Sequence, residues 1–306
     1  MHGMWIPGFA NWKSQILAVP PSDVVADIKD DTKFPQTTEN GVTYKGLIWG
    51  LPSEYCNWAL IYDKAIFNTA INDEGHTELI PIFAKLEHRD ADGIPDQPLS
   101  WTELTTAAKA LAKWELTAEG WNCTRTGFAP FVEGMPEEQR YQFMSLLWSN
   151  GGAFVDPVNY RALFDNVNGT EVMDLYHDLG WSSPPESRAF DPNMLPDYWW
   201  AAWGYKQIGL MILPTWMTYV RDAMTEAGRD FSDLGVAPIP IGPHGTSSVS
   251  VTYSWTQAVT QKAKTDAGGE RYDAAWDFLR WLNTPIAAGT YDLGGDVGLI
   301  PHGGLC

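Results

Sequence analysis

The sequence predicts an α/β fold. Strand-like apolar runs alternate along the chain with segments whose apolar residues recur at helical spacing. The run 208–213 is short, continuous and closed by Pro214, as a buried strand should be, and several helical segments carry start and stop residues.

Residues 45–52 read as a short strand ended by a turn, and 58–62 as a second run followed by a helix over 63–70. Residues 72–98 are polar and read as a loop. Ser100 opens the clearest helix. Ser100 and Glu103 have the spacing of a capping box, and Trp101, Leu104, Ala107, Ala108 and Leu111 share one face. A helix near 137–149 carries Tyr141, Met144, Leu147 and Trp148 at helical spacing and stops at Asn150-Gly151-Gly152. Residues 171–180 form another, with Val172, Leu175, Tyr176 and Leu179 inward. The strand 208–213 is followed by a helix over 216–228. Residues 235–241 and 248–260 read as strands separated by the turn Gly242-Pro243-His244-Gly245. The last strong helix spans about 271–283, with Tyr272, Ala275, Trp276, Leu279 and Leu282 inward and Pro285 just beyond.

A chain of 306 residues suffices for one large domain or two of ordinary size, and 44% apolar residues can fill sizeable cores. The net charge of −18 repels nucleic acid and anionic membranes, which argues against phosphate-backbone binding. Sixteen Trp is the outlier. Many of these rings should pack cores, but a flat aromatic face also suits the C–H face of a sugar. Cys56, Cys123 and Cys306 have no C-x-x-C spacing and read as small buried or incidental thiols. The longest apolar run falls far short of the roughly 20 residues that cross a membrane. The first residues lack the features of a secretory leader, so the chain is expected to be cytoplasmic or to lack its leader.

Signatures of catalysis are sparse. The sequence has no G-x-S-x-G elbow, H-E-x-x-H, P-loop or G-x-G-x-x-G, and its six His are scattered. No cofactor is implied. Asp90, Asp92 and Asp96 alternate around Gly93 and could offer oxygen ligands to calcium, but without EF-hand spacing a solvated acidic turn is the plainer expectation. A glycoside hydrolase would need two carboxylates at a set separation, which nothing linear encodes.

Four segments, in order, resemble the extracellular solute-binding protein family 1, the maltose-binding-like group. Gly46-Leu47-Ile48-Trp49-Gly50-Leu51-Pro52 is similar to the family's G-x-x-Y-G-L-P, and Leu60-Ile61-Tyr62-Asp63-Lys64 to L-x-Y-N-K, with Asp in place of Asn. Pro98-Leu99-Ser100-Trp101-Thr102-Glu103-Leu104 is close to P-x-T-W-x-E-L. Gly204-Tyr205-Lys206-Gln207-Ile208-Gly209-Leu210-Met211 followed by Pro214-Thr215-Trp216 resembles F-x-x-G-K-x-A-M and G-x-W. Pro238-Ile239-Pro240-Ile241-Gly242-Pro243, with Ala275-Trp276-Asp277-Phe278-Leu279-Arg280-Trp281-Leu282 beyond it, completes the set.

The resemblance implies a two-lobe periplasmic-binding-protein-like fold (type II), with 1–61 and 236–306 as the first lobe and 62–235 as the second. It implies capture of a carbohydrate between the lobes for the permease subunits of an ABC importer, in a periplasmic or extracellular setting. The family's two opening strand–helix units have no counterpart here. The first lobe is therefore expected to be incomplete, with an open sheet edge that favours self-association.

By the same resemblance Trp216 holds the place of a sugar-stacking Trp, and Tyr141 a matching place ten residues ahead of Gly151. Tyr55 and Trp58 follow the Gly-Leu-Pro strand, and Trp255 follows the returning strand. Trp199, Trp200 and Trp203 rank lower, since at helical spacing they can simply dock a helix. Aromatic stacking with hydrogen bonds suits neutral sugars, while an acidic, Trp-rich chain also suits a polyamine. A glycoside hydrolase is the alternative of a different class.

Trp216→Ala is expected to weaken sugar binding by about 1–3 kcal/mol, on the scale of aromatic stacking. A ring buried in a core would instead cost about 3–5 kcal/mol of stability. Denaturation midpoint and sugar affinity of the variant, measured together, separate the two; a collapsed midpoint with intact binding would assign Trp216 to the core.

Overall fold

The computed structural model describes residues 17–29, 43–44, 47–91, 93, 95–130, 136–156, 159, 161–192, 199–214, 217–265 and 269–283. In chain order these form α1 (Ser22–Ile28), β1 (Thr43–Tyr44), β2 (Leu47–Ile48), β3 (Leu51–Asp63), α2 (Lys64–Asn72), α3 (Leu79–Leu86), α4 (Trp101–Leu111), β4 (Lys113–Thr117) and β5 (Gly120–Ala129). There follow α5 (Pro136–Ser149), α6 (Val167–Gly180), α7 (Trp199–Gly204), β6 (Ile208–Pro214), α8 (Met217–Glu226), β7 (Leu234–Ala237), β8 (Thr252–Gln257), α9 (Gln261–Thr265) and α10 (Glu270–Asn283). The α/β class is as the sequence predicts. Two compact units result: Met1–Asn57 with Thr252–Cys306, and Trp58–Val251.

The second unit is built on a sheet of order β4-β5-β6-β3-β7. β5 and β6 run parallel, while β3 is antiparallel to both β6 and β7. Every residue of β6 is buried, as a strand covered on both faces requires. α4 lies close on β5 because Gly127 has no side chain: a Cβ there would sit 1.7 Å from the Ala108 carbonyl oxygen. The capping box of α4 has both arms. Ser100 Oγ accepts from Glu103 N at 3.2 Å, and Glu103 Oε2 accepts from Ser100 N at 2.7 Å.

Asp63 ends β3 and caps α2, its carboxylate accepting from Ile66 N at 3.1 Å. It is fully buried, and Arg229 Nη2 stands 2.8 Å away. Burial pushes the Asp63 carboxyl above the usual carboxylate range, and the guanidinium pulls it back. The same Arg229 donates to the carbonyl of Trp203, so one side chain joins α7, β3 and the segment after α8.

In the first unit, residues 51–57 of β3 pair antiparallel with β8, with an irregular register between Pro52 and Glu54. α10 buries Trp276 and Leu279 against Val24 and Ile28 of α1. Arg280 on the same helix reaches Asp23 and Asp27, each at 2.7 Å.

The sequence reading is corrected at several points. The loop expected over 72–98 contains α3: Pro81 falls in its first turn, where no intrahelical N–H is needed, and Leu79, Ile82 and Leu86 are buried. The single run expected at 45–52 is split: Leu47–Ile48 form β2, a bend follows at Gly50, and Leu51 and Pro52 open β3, which continues without interruption through the run expected at 58–62. The β4–β5 hairpin had no counterpart in the reading. Strands expected at 235–241 and 248–260 are shorter, Leu234–Ala237 and Thr252–Gln257. The two units divide at 57/58 and 251/252, and within the second Leu60 to Asp63 pair with Ala237 to Leu234.

Arg229→Met, which leaves a buried carboxylate alone, is expected to destabilise the second unit by about 3–5 kcal/mol. Adding Asp63→Asn should recover a large part of that loss. Urea midpoints for the single and double variants provide the check, and an unaltered midpoint in Arg229→Met would remove the pair from the fold's supports.

Candidate functional site

The parallel strands β5 and β6 end at Ala129 and Pro214, and the register of β3 on β6 sets Trp58 opposite Pro214. Trp58 therefore lies at the carboxyl end of the parallel pair, the end at which open α/β sheets receive ligands. α5 returns over this end and brings Tyr141 to Trp58, with ring centroids 5.7 Å apart and planes tilted by 50°. Trp58 is 2% exposed and belongs to the core. Tyr141 is half-buried, and the Arg140 guanidinium sits 4.9 Å from its ring centroid. Of this pair, Tyr141 is the ring that keeps surface for a ligand.

The backbone beneath the rings is fastened by serines. Ser250 Oγ lies 2.8 Å from Trp58 N and 2.7 Å from Trp58 O. Ser145 Oγ accepts from Val251 N at 3.2 Å, and Ser149 Oγ accepts from Val249 N at 2.8 Å. Gln142, one residue from Tyr141, is buried; its Nε2 donates to the Ile212 carbonyl at 3.3 Å and its Oε1 accepts from Tyr176 Oη at 2.6 Å. Burial pushes the Tyr176 hydroxyl far up, so it stays a proton donor. Gln142, Ser145 and Ser149 form a polar stripe on the inner face of α5, and each has a partner.

The helix ends in a second polar knot. Asn150 is buried; its Nδ2 donates to Glu171 at 2.8 Å, and its Oδ1 accepts from His244 N at 3.1 Å. Gly242 is what lets the returning chain approach, for a Cβ there would fall 2.2 Å from Asn150 Oδ1.

Of the residues expected at a site, the structure brings Trp58 and Tyr141 together. Trp216 lies outside the described residues, two positions after Pro214. Tyr55 and Trp255 are on paired strands of the first unit, with Tyr55 opposite Ser254 and Trp255 opposite Glu54, while their side chains are outside the described set. Asp90 and Asp96 are exposed, Asp96 bonds His88 at 2.7 Å, and Asp92 is outside the described residues. Among the described residues no group of three His, Cys, Asp or Glu gathers as metal ligands. Sequence reasoning missed Arg140, Gln142 and Ser250. Gln142 and Ser145 stand three apart on a helix and could have been noticed as a polar stripe; nothing local marks Ser250.

The chain belongs to the bacterial extracellular solute-binding protein family, whose profile matches residues 2–289. Solved structures share its fold. One is an ABC transporter solute-binding protein from Thermotoga lettingae bound with alpha-D-tagatose, at a TM-score of 0.63 and 20% identity, covering 92% of this chain and 61% of that one. Another is the GacH receptor of Streptomyces glaucescens, solved unliganded and in complex with acarbose, at 0.60 and 21%, covering 92% and 59%. UgpB from Mycobacterium tuberculosis in complex with glycerophosphocholine gives 0.60 and 16%, covering 90% and 58%. The chain thus spans about three-fifths of the length of these proteins. A search of curated protein sequences found no match.

Gln142→Leu is expected to destabilise the second unit by about 1–3 kcal/mol, because the Ile212 carbonyl and the Tyr176 hydroxyl lose their partner in a dry setting. Chemical denaturation measures it, and a loss within error of zero would show that water replaces the amide.

Proposed function

We propose that the chain binds a carbohydrate at the carboxyl end of the second unit's sheet, with Tyr141 as a stacking ring, and delivers it to an ABC importer outside the cytoplasm. The observation that carries this is the Tyr141 ring, seated against Trp58 at the sheet end where α/β folds take ligands. Family membership supports a capture role. The tagatose and acarbose bound in two of the similar structures support the ligand class. The two units are taken as the two lobes, with the division at 57/58 and 251/252. Trp216, two residues after Pro214, is proposed as a second ring of the site.

Tyr141 packs against the buried Trp58 indole and near the Arg140 guanidinium, contacts that restrict the ring before ligand arrives. Little freedom is then lost on binding, which favours affinity from modest contact area.

Calorimetry against mono- and oligosaccharides, with glycerophosphocholine and a polyamine as separate arms, tests the ligand class. A sugar should bind without turnover, and Tyr141→Ala should lose about 1–3 kcal/mol of binding while Tyr141→Phe keeps most of it. Heat from glycerophosphocholine or the polyamine alone would replace the sugar. Released product would move the chain to the glycoside hydrolases.

A further inference from the structure

The chain at 249–251 runs beside Trp58 without belonging to a strand, since β7 ends at Ala237 and β8 begins at Thr252. Along β3, the pairing with β8 stops at Asn57 and the pairing with β7 starts at Leu60. Trp58 lies in the interval. Across β6 the residue facing it is Pro214, which has no N–H to offer. A hydroxyl meets its backbone instead. Ser250 Oγ accepts from Trp58 N at 2.8 Å and donates to Trp58 O at 2.7 Å, so one side chain stands in for a residue of a neighbouring strand. The Val251 carbonyl also accepts from Trp58 N, at the longer distance of 3.2 Å.

α5 holds the same segment in the same manner. Ser149 Oγ accepts from Val249 N at 2.8 Å and donates to Val249 O at 3.1 Å, while Ser145 Oγ accepts from Val251 N at 3.2 Å. Ser145, Ser149 and Val251 are buried, so water competes little for these bonds. A closed circuit results. It runs from Trp58 to Ser250, through 249–251 to α5, along α5 to Tyr141, and from that ring back to Trp58 at 5.7 Å. Apolar packing is non-directional and tolerates sliding, whereas a hydroxyl bonded to both backbone groups of one residue fixes a distance.

We infer that Ser250, with Ser145 behind it, is a positioning residue for the ligand site: through Trp58 it sets the place of the Tyr141 ring, and the inference rests on the reading of Tyr141 as the stacking ring. Alanine at 250 removes the donor to Trp58 O and the shorter of the two bonds from Trp58 N. Trp58 then shifts under Tyr141, and the ligand must order the ring it stacks on, at a cost to affinity. Release of 249–251 from α5 at Ser145 has the same consequence, because the strap joins the two rings' supports only while both of its edges are held.

Two readouts test this. Calorimetry with maltose and tagatose as probes gives affinity, and the fluorine resonance of Tyr141 in a fluorotyrosine-labelled chain reports the ring with no ligand present; Tyr141→Phe assigns that signal. Ser250→Ala should weaken sugar binding by about tenfold, and Ser145→Ala likewise. The double variant should lose less than the product of the two, since one strap is released only once. In a Tyr141→Ala chain, Ser250→Ala should cost less than about twofold, an outcome that general destabilisation does not produce. Without ligand, Ser250→Ala and Ser145→Ala should each displace the Tyr141 signal. Should Ser250→Ala not fold, Ser145→Ala decides by the same two readouts. An unmoved Tyr141 signal, wild-type affinity in Ser250→Ala, or an undiminished penalty in the Tyr141→Ala chain would overturn the inference. A displaced signal in a chain that takes neither sugar would sustain the positioning role while counting against the carbohydrate reading.

Discussion

The antiparallel register of β3 on β6 decides where everything else in the second unit stands. With Trp58 opposite Pro214 and Tyr62 opposite Leu210, an aromatic ring lies at the carboxyl end of the parallel strands and a carboxylate, Asp63, at the other. A slip of one residue would exchange the two faces of β3 and carry Trp58 away from α5. The register is defended because both faces are buried: Leu60, Ile61, Tyr62 and Asp63 are all inaccessible, so no shifted pairing finds equivalent packing.

Around this frame the buried polar side chains of α5 are each held by directed bonds. α5 is an unusual core helix, since its inner face carries Gln142, Ser145 and Ser149. Each bonds backbone that an apolar side chain could not hold: the Ile212 carbonyl, the Val251 amide and the Val249 amide. The helix is therefore fixed in position by directed bonds, which non-directional packing alone would leave looser. Asp63 follows the same logic with charge. The family motif resembled by Leu60-Ile61-Tyr62-Asp63-Lys64 has Asn where this chain has Asp, and Arg229 supplies the counter-charge that the exchange requires.

Legibility in the sequence followed the locality of the cause. The α4 start was readable because both arms of its capping box lie within four residues, and β6 because a continuous apolar run bounded by proline has few other uses. α10 was readable from periodicity, with Trp276 and Leu279 buried as expected. β4 and β5 were not: Leu116 and Trp121, the cross-strand pair near their turn, are both exposed, so no alternation of burial marked them. The meeting of Trp58 with Tyr141 joins residues far apart in the chain. Each was singled out by its place in the family resemblance, and the contact itself depends on the β3 register and on the polar stripe of α5, which that resemblance does not contain.

β4 closes one side of the sheet, with β5 as its neighbour on that path. An outermost strand with an exposed Leu116 is a surface onto which another copy could extend the sheet. Lys113 and Glu115 on the strand, together with the chain's excess of carboxylates, keep copies apart near neutral pH. The path β4-β5-β6-β3-β7 thus ends in β4 on one side and β7 on the other, with Leu116 exposed on the first and Val236 on the second.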